Sequence, residues 1–209
     1  MELQDIPSPE PGPGGVLLEI SACGVCHTDL HIVEGDLPLH KVPLIPGHEI
    51  VGRVVAMESG VEGISVGQRV GVAWLHKTCG ECRFCRRGQE NLCERARFTG
   101  WDVDGGFAEY AVAVADFVYP LPGGLPDEKA APLLCAGIVG YRALKRAIHG
   151  KEPGRLGLYG FGASAHIAIQ IARYLGWEVY VFTRSPQNKA LARELGAAWV
   201  GEAQDRPPE

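Results

Sequence analysis

Leu156-Gly-Leu-Tyr-Gly-Phe-Gly-Ala-Ser-Ala165 runs from an apolar segment through closely spaced glycines into an alanine-rich one. Residues 156–160 have the length and apolarity of a buried strand, and residues 163–175 carry the composition of a helix. Glu178-Val-Tyr-Val-Phe182 repeats the strand pattern, residues 187–195 the helix pattern, and residues 198–200 offer a short third strand. Strand, glycine turn, helix, strand, helix predicts parallel strands joined by crossover helices. The turn contains G-x-G-x-x-A at Gly160, Gly162 and Ala165. Two glycines there let backbone approach a pyrophosphate, and the following helix N-terminus supplies positive potential. Glycines also serve simple turns, so the flanking strand and helix give the motif its meaning.

Towards the N-terminus the character changes at Pro120-Leu-Pro-Gly-Gly-Leu-Pro126. Before it, Val16-Leu-Leu-Glu-Ile20, Val51-Gly-Arg-Val-Val-Ala56, Arg69-Val-Gly-Val-Ala73 and Phe107-Ala-Glu-Tyr-Ala-Val-Ala113 read as short strands between glycines. That pattern predicts a closed or nearly closed β-fold. Residues 128–148 read as helical, with breaks expected at Pro132 and Gly137. Two domains are expected, β-rich over residues 1–140 and α/β over 141–209.

A formal net charge of -5 argues against a general nucleic-acid binder. No apolar run approaches the ~18 residues of a membrane span. The first residues have neither a basic nor an apolar leader region, so a cytoplasmic protein is expected. Seven cysteines in that setting point to metal or catalysis rather than disulfides. Four of them, Cys79, Cys82, Cys85 and Cys93, follow C-x2-C-x2-C-x7-C. Two-residue gaps let a turning loop bring thiolates to one point, and four protein ligands leave no open position, so the expected zinc is structural. Lys77, Arg83, Arg86 and Arg87 are placed to offset the cluster's negative charge. Metal-free surface thiols, a redox pair or a nucleic-acid-binding zinc ribbon are the alternatives; a ribbon usually needs two separated pairs and a basic surface.

A second grouping is sparser. Cys26 lies in Cys23-Gly-Val-Cys-His-Thr-Asp-Leu-His31, His48 in Pro46-Gly-His-Glu49, and Cys135 could complete a three-ligand set. Three protein ligands leave a fourth position for water or substrate. Spacing alone does not join these residues.

Taken together, A-C-G-V-C-H-T-D-L-H, P-G-H-E-I-V-G, the four-cysteine lobe and L-L-C-A-G-I-V-G-Y resemble the zinc-dependent alcohol dehydrogenases of the medium-chain dehydrogenase/reductase superfamily, most of all their cinnamyl-alcohol-dehydrogenase-like bacterial branch. The resemblance spans about residues 5–201. It implies a GroES-like catalytic domain followed by the first half of a Rossmann domain. It implies that Cys26, His48 and Cys135 bind a catalytic zinc, with Glu49 able to approach it and Asp29 orienting the ligand histidine. By the same resemblance Thr28 bonds the substrate oxygen, His31 is the outer end of a proton relay, His27 lies near the cofactor pyrophosphate, and Trp74 walls the substrate pocket. Cys23 matches no ligand and reads as a small buried residue.

About 20 residues beyond the glycine motif, a carboxylate would favour NAD(H) by binding the adenosine ribose. Thr183-Arg184-Ser185 stands there instead. Two hydroxyls and a guanidinium suit a phosphate dianion, so NADP(H) is expected over NAD(H). Such a sheet usually has about six strands, and only two clear ones are readable, so a truncated chain is expected. The reading is an alcohol dehydrogenase or aldehyde reductase for a small primary alcohol or aldehyde, without nucleic-acid or membrane partners. The resemblance implies homo-oligomers when the cofactor domain is complete. The alternatives are an incompetent zinc-binding fragment of such an enzyme and a redox-responsive zinc module.

Overall fold

Strand β1 (Gly15–Gly24) is the hub of the β-rich unit in the computed structural model, which describes residues 1–208. It pairs antiparallel with β2 (Glu49–Met57) on one side and with β6 (Tyr110–Val114) on the other. Strand β3 (Arg69–Val72) then pairs with β2, and β7 (Val118–Pro120) with β3, giving the order β6-β1-β2-β3-β7. The sheet has two edge strands rather than the hydrogen-bonded closure that the sequence left open. A smaller ribbon joins β4 (Leu75–Lys77) to β5 (Arg97–Phe98). The short helices α1 (His27–Glu34) and α2 (Asp127–Ala130) complete this unit, with single 3-10 turns at Cys85–Arg87, Glu90–Leu92, Ala115–Phe117 and Ala131–Leu134.

Strand β2 is apolar almost throughout because both its faces are covered. Ile50 and Val54 join Val16, Leu18, Val70, Val72 and Ala113 in one core, while Val51 packs with Ala130, Ala131 and Leu134 on the other face. Successive side chains of a strand point to opposite faces, so this double cover removes the usual polar alternation. Gly52 is required where β1 crosses closely: a Cβ there would lie 2.4 Å from the Glu19 carbonyl oxygen.

The chain divides into the compact units Met1–Cys135 and Ala136–Glu209, Glu209 itself lying outside the described residues. Residue 140, the expected boundary, falls inside α3 (Ala136–Ile148). Pro132 does interrupt the helix, forcing a 3-10 turn, but Gly137 does not. It sits in the first turn of α3, where its conformational freedom costs little.

In the second unit β8 (Arg155–Tyr159), β9 (Glu178–Phe182) and β10 (Trp199–Gly201) form a parallel sheet in the order β10-β9-β8. Helices α4 (Ala163–Tyr174) and α5 (Pro186–Glu194) are the crossovers. Ile169, Ala172 and Ala192 from these helices pack with Val179, Val181, Trp177 and Leu144 in a single core. Ser185 caps α5 by accepting from the Asn188 N–H, and Pro186 follows where its missing N–H is harmless. Among the described residues no helix is long and apolar enough to cross a membrane.

Candidate metal centres and nucleotide-binding turn

Helix α1 begins at a cysteine. The Cys26 sulfur accepts from the Thr28 N–H at 3.3 Å, and Asp29, at the third helical position, accepts from the Cys26 N–H at 2.9 Å. This reciprocal cap fixes Cys26 and Asp29 together. The other Asp29 oxygen accepts from the Gly47 N–H at 3.1 Å and lies 3.2 Å from His48 Nδ1. Nε2 of His48 is thereby turned to 3.4 Å from Cys26 Sγ, and Cys135 Sγ stands 4.0 Å from the same sulfur. With Glu49, the ligand atoms of Cys26, His48 and Cys135 all lie within 4.8 Å of one another.

Donors at ~2.3 Å (sulfur) and ~2.05 Å (nitrogen) around a tetrahedral zinc stand ~3.8 Å apart for sulfur pairs and ~3.5 Å for sulfur and nitrogen. The observed 4.0 and 3.4 Å fit that shape. Charge points the same way. Burial, then the neighbouring Cys26 and Glu49, pushes the Cys135 thiol up to about 12, and burial also raises the Glu49 carboxyl. Burial opposes ionisation of Asp29 too, but hydrogen bonds from His48 and from the Cys26 and Gly47 amides outweigh it and hold that carboxyl below its ordinary value. A divalent cation amid Cys26, His48 and Cys135 reverses the penalty on the thiols.

The second cluster lies in the loop between β4 and β5. Its sulfurs are 3.5 Å apart for Cys82 and Cys85, 3.5 Å for Cys79 and Cys93, and 3.9 Å for Cys79 and Cys85. These too are the edges of a zinc-sized tetrahedron. Backbone N–H groups of Cys79 and Arg95 point at the Cys93 sulfur, and that of Cys85 at Cys82. The Glu81 amide, foremost, draws the Cys79 thiol down to about 6, while burial pushes Cys85 up to about 11.

Around the first centre, Trp74 meets the His48 ring edge-on at 4.9 Å and stacks on Phe98 and Trp101. Thr28 is half-buried beside Cys26, and His27 is exposed. His31 is also exposed, its Nδ1 2.8 Å from an Asp36 oxygen. Cys23 is not among the clustered ligand atoms, although its thiol faces the Glu49 amide; burial raises it to about 12, so it stays neutral as a small packing residue.

In the second unit Gly160 takes φ +88° at the end of β8, and Gly162 caps α4. Tyr159, Gly160, Phe182, Thr183, Arg184 and Ser185 line a cavity of about 750 Å³. Thr183 is buried, whereas Arg184 is exposed and makes no ion pair among the described residues. The Ser185 hydroxyl is already engaged, accepting from Asn188 and donating to Gln187.

Residues 12–123 match the family described as the alcohol dehydrogenase GroES-like domain. The chain belongs to that alcohol dehydrogenase family. A probable alcohol dehydrogenase AdhA of Mycobacterium tuberculosis is 53% identical over 205 residues, covering 96% of this chain and 59% of the relative. The cinnamyl alcohol dehydrogenase of Helicobacter pylori, solved in complex with NADP(H), superposes with a TM-score of 0.85 at 33% identity, covering 94% of this chain and 60% of that one. A cobalt- and zinc-bound thermostable alcohol dehydrogenase from Pyrobaculum aerophilum gives 0.86 at 32% identity, over 97% and 61%. The chain thus spans about three-fifths of the length of these proteins. Its fold is that of the alcohol dehydrogenases: a GroES-like unit followed by part of a Rossmann unit.

Within this chain, the glycines that seat His48 escaped the sequence reading. Gly105 N–H donates to the Ile45 carbonyl, Gly106 to Gly47 and Phe107 to Pro46, strapping the His48 loop to a second loop. A Cβ on Gly105 would lie 2.0 Å from the Gly47 oxygen, and one on Gly106 2.8 Å from Cys23 Sγ. The Gly105-Gly106 pair was the visible signal.

Proposed function

We propose that the chain is part of a zinc-dependent alcohol dehydrogenase that moves hydride between NADP(H) and a primary alcohol or aldehyde. The convergence of Cys26, His48, Glu49 and Cys135 on one point carries this reading. Cys26, His48 and Cys135 hold the catalytic zinc, and Cys79, Cys82, Cys85 and Cys93 a structural one. When bound, zinc supplies Lewis acidity towards the substrate oxygen, and the nicotinamide supplies the hydride chemistry.

The chain's own residues bind, orient and move the proton. Asp29 fixes the His48 ring through Nδ1, keeping Nε2 free as a ligand. The Thr28 hydroxyl takes the alcohol proton, and His31, exposed beside Asp36, is the outer acceptor that exchanges it with solvent. Glu49 lies among the ligands as a carboxylate able to approach them. Trp74, against His48, forms an apolar wall for the substrate. Gly160, Gly162 and Ala165 would admit the pyrophosphate at the α4 N-terminus. Arg184, with Thr183, would hold the 2′-phosphate; Ser185 contributes chiefly by capping α5. Homo-oligomers are part of the proposal for the complete enzyme.

The test is NADPH oxidation with an aromatic aldehyde by the zinc-replete 209-residue chain. Zinc-dependent turnover with higher kcat/KM for NADPH than NADH is expected; better use of NADH would refute the Arg184 assignment. The three-stranded parallel sheet favours a second reading, in which this length of chain binds zinc without turnover. Soluble, zinc-loaded and inactive protein would support that one.

A further inference from the structure

Four thiolates around one Zn²⁺ leave a formal charge of about -2, which must be offset for the metal to stay. Among the basic residues nearest in sequence, Arg83 pairs with Glu94 at 3.6 Å and lies over the Phe84 ring. Lys77, Arg86 and Arg87 are exposed, and among the described residues none donates to a cysteine sulfur. Arg95 does. Its backbone N–H donates to Cys93 Sγ at 3.4 Å, and its guanidinium pairs with Glu81, which stands between Cys79 and Cys82 in sequence. One residue therefore contacts Cys93, whose sulfur is 3.5 Å from that of Cys79, and anchors a cation to the loop that carries Cys79 and Cys82.

We propose that Arg95, held by Glu81, is the positioning residue that sets how firmly the four-cysteine site keeps its metal. The inference rests on the reading of that site as zinc-binding. Magnitudes separate this role from a structural one. Arg95 and Glu81 are 62% and 65% exposed, and an exposed ion pair adds only about 0–1 kcal/mol to folding. Residues bonded to metal ligands, by contrast, commonly alter metal affinity ~10- to 100-fold. Glu81 gives a sharper distinction. It stands between Cys79 and Cys82 in sequence, so on charge alone its neutralisation should strengthen metal binding at an anionic cluster. If it instead aims the guanidinium, neutralisation weakens binding.

The experiment is zinc competition against a chelator of known strength, following the zinc that remains bound in Cys135→Ser, which isolates the four-cysteine site. In that form Arg95→Met is expected to weaken zinc binding about 10- to 100-fold. Arg95→Lys should recover part of the loss, Glu81→Gln should also weaken binding, and Arg83→Met should leave it unchanged. Zinc bound with unaltered affinity in Arg95→Met, or more tightly in Glu81→Gln, overturns the inference alone. Absence of zinc from the Cys135→Ser form overturns the underlying zinc reading, and the inference with it. Arg95→Lys and Glu81→Gln keep the test decisive if Arg95→Met does not fold.

Discussion

Asp29 shows how one side chain can serve capping, loop placement and orientation of a candidate metal ligand at once. It is 2% exposed and receives the Cys26 and Gly47 amides while fixing His48 Nδ1. An Asn amide nitrogen cannot accept, so Asp29→Asn leaves at least one of these buried donors unpaired, at about 1–3 kcal/mol. Metal affinity at Cys26, His48 and Cys135 should fall ~10- to 100-fold as the ring loosens. Urea unfolding and zinc content measure the two effects, and a variant matching the parent in both would remove Asp29 from this role. Asp29 was legible because it sits beside Cys26 in a recognisable motif. Cys135 was legible only through family resemblance, since 109 residues separate it from Cys26 and no local spacing records such a contact. Arg95 was missed for a related reason. Charge counting cannot tell which of several arginines is held at the cluster.

Elements were legible where periodicity was local and strong. β9 falls on the expected residues 178–182, and α4 and α5 lie within one residue of expectation at each end. β6 begins at Tyr110, later than the expected 107, because Phe107 donates to the Pro46 carbonyl instead of a strand partner. The two-residue β5 and its ribbon with β4 were invisible, being too short for any period to register. The loop strap that includes Phe107 can be tested. Gly105→Ala drives a Cβ against backbone, which cannot swing aside as a side chain would. A loss towards the upper end of about 1–3 kcal/mol is expected in urea unfolding, with reduced zinc at the His48 site; near-parent stability would show that the loops can part without cost.

Arg69 makes a second junction, tying β3 to α2 through Asp127 and to the loop before it through the Pro122 and Leu125 carbonyls. The Ser21 hydroxyl and then Arg69 hold the Asp127 carboxyl below its ordinary value. A folded-state pKa below the unfolded one gives stability that is complete above the unfolded value and is lost as pH falls through the folded one. Asp127→Asn should therefore lower stability at neutral pH by less than about 1 kcal/mol, given its partial exposure. The deficit should close as the parent's carboxylate protonates. A deficit that persists or grows below the carboxylate range would assign the effect to packing rather than charge.

At the scale of the molecule, chemistry is divided between the two units. All seven proposed zinc ligands lie in Met1–Cys135, whereas the glycine turn, Thr183 and Arg184 lie in Ala136–Glu209. A ligand stabilises whatever folded unit binds it, by RT ln(1 + [L]/Kd), or about 2.7 kcal/mol at a hundredfold excess over Kd. Zinc and NADPH should then act on different parts of the unfolding profile. Scanning calorimetry of the zinc-loaded chain should show chelation lowering the transition of the first unit, while NADPH raises that of the second. Two ligands moving two separate transitions would mean that the proposed metal centres form without help from the second unit. A single transition shifted by both would mean that the units unfold as one, so metal loss would weaken nucleotide binding by linkage. In that case Cys135, the last residue of the first unit and the neighbour of α3, is the position through which coupling should be sought.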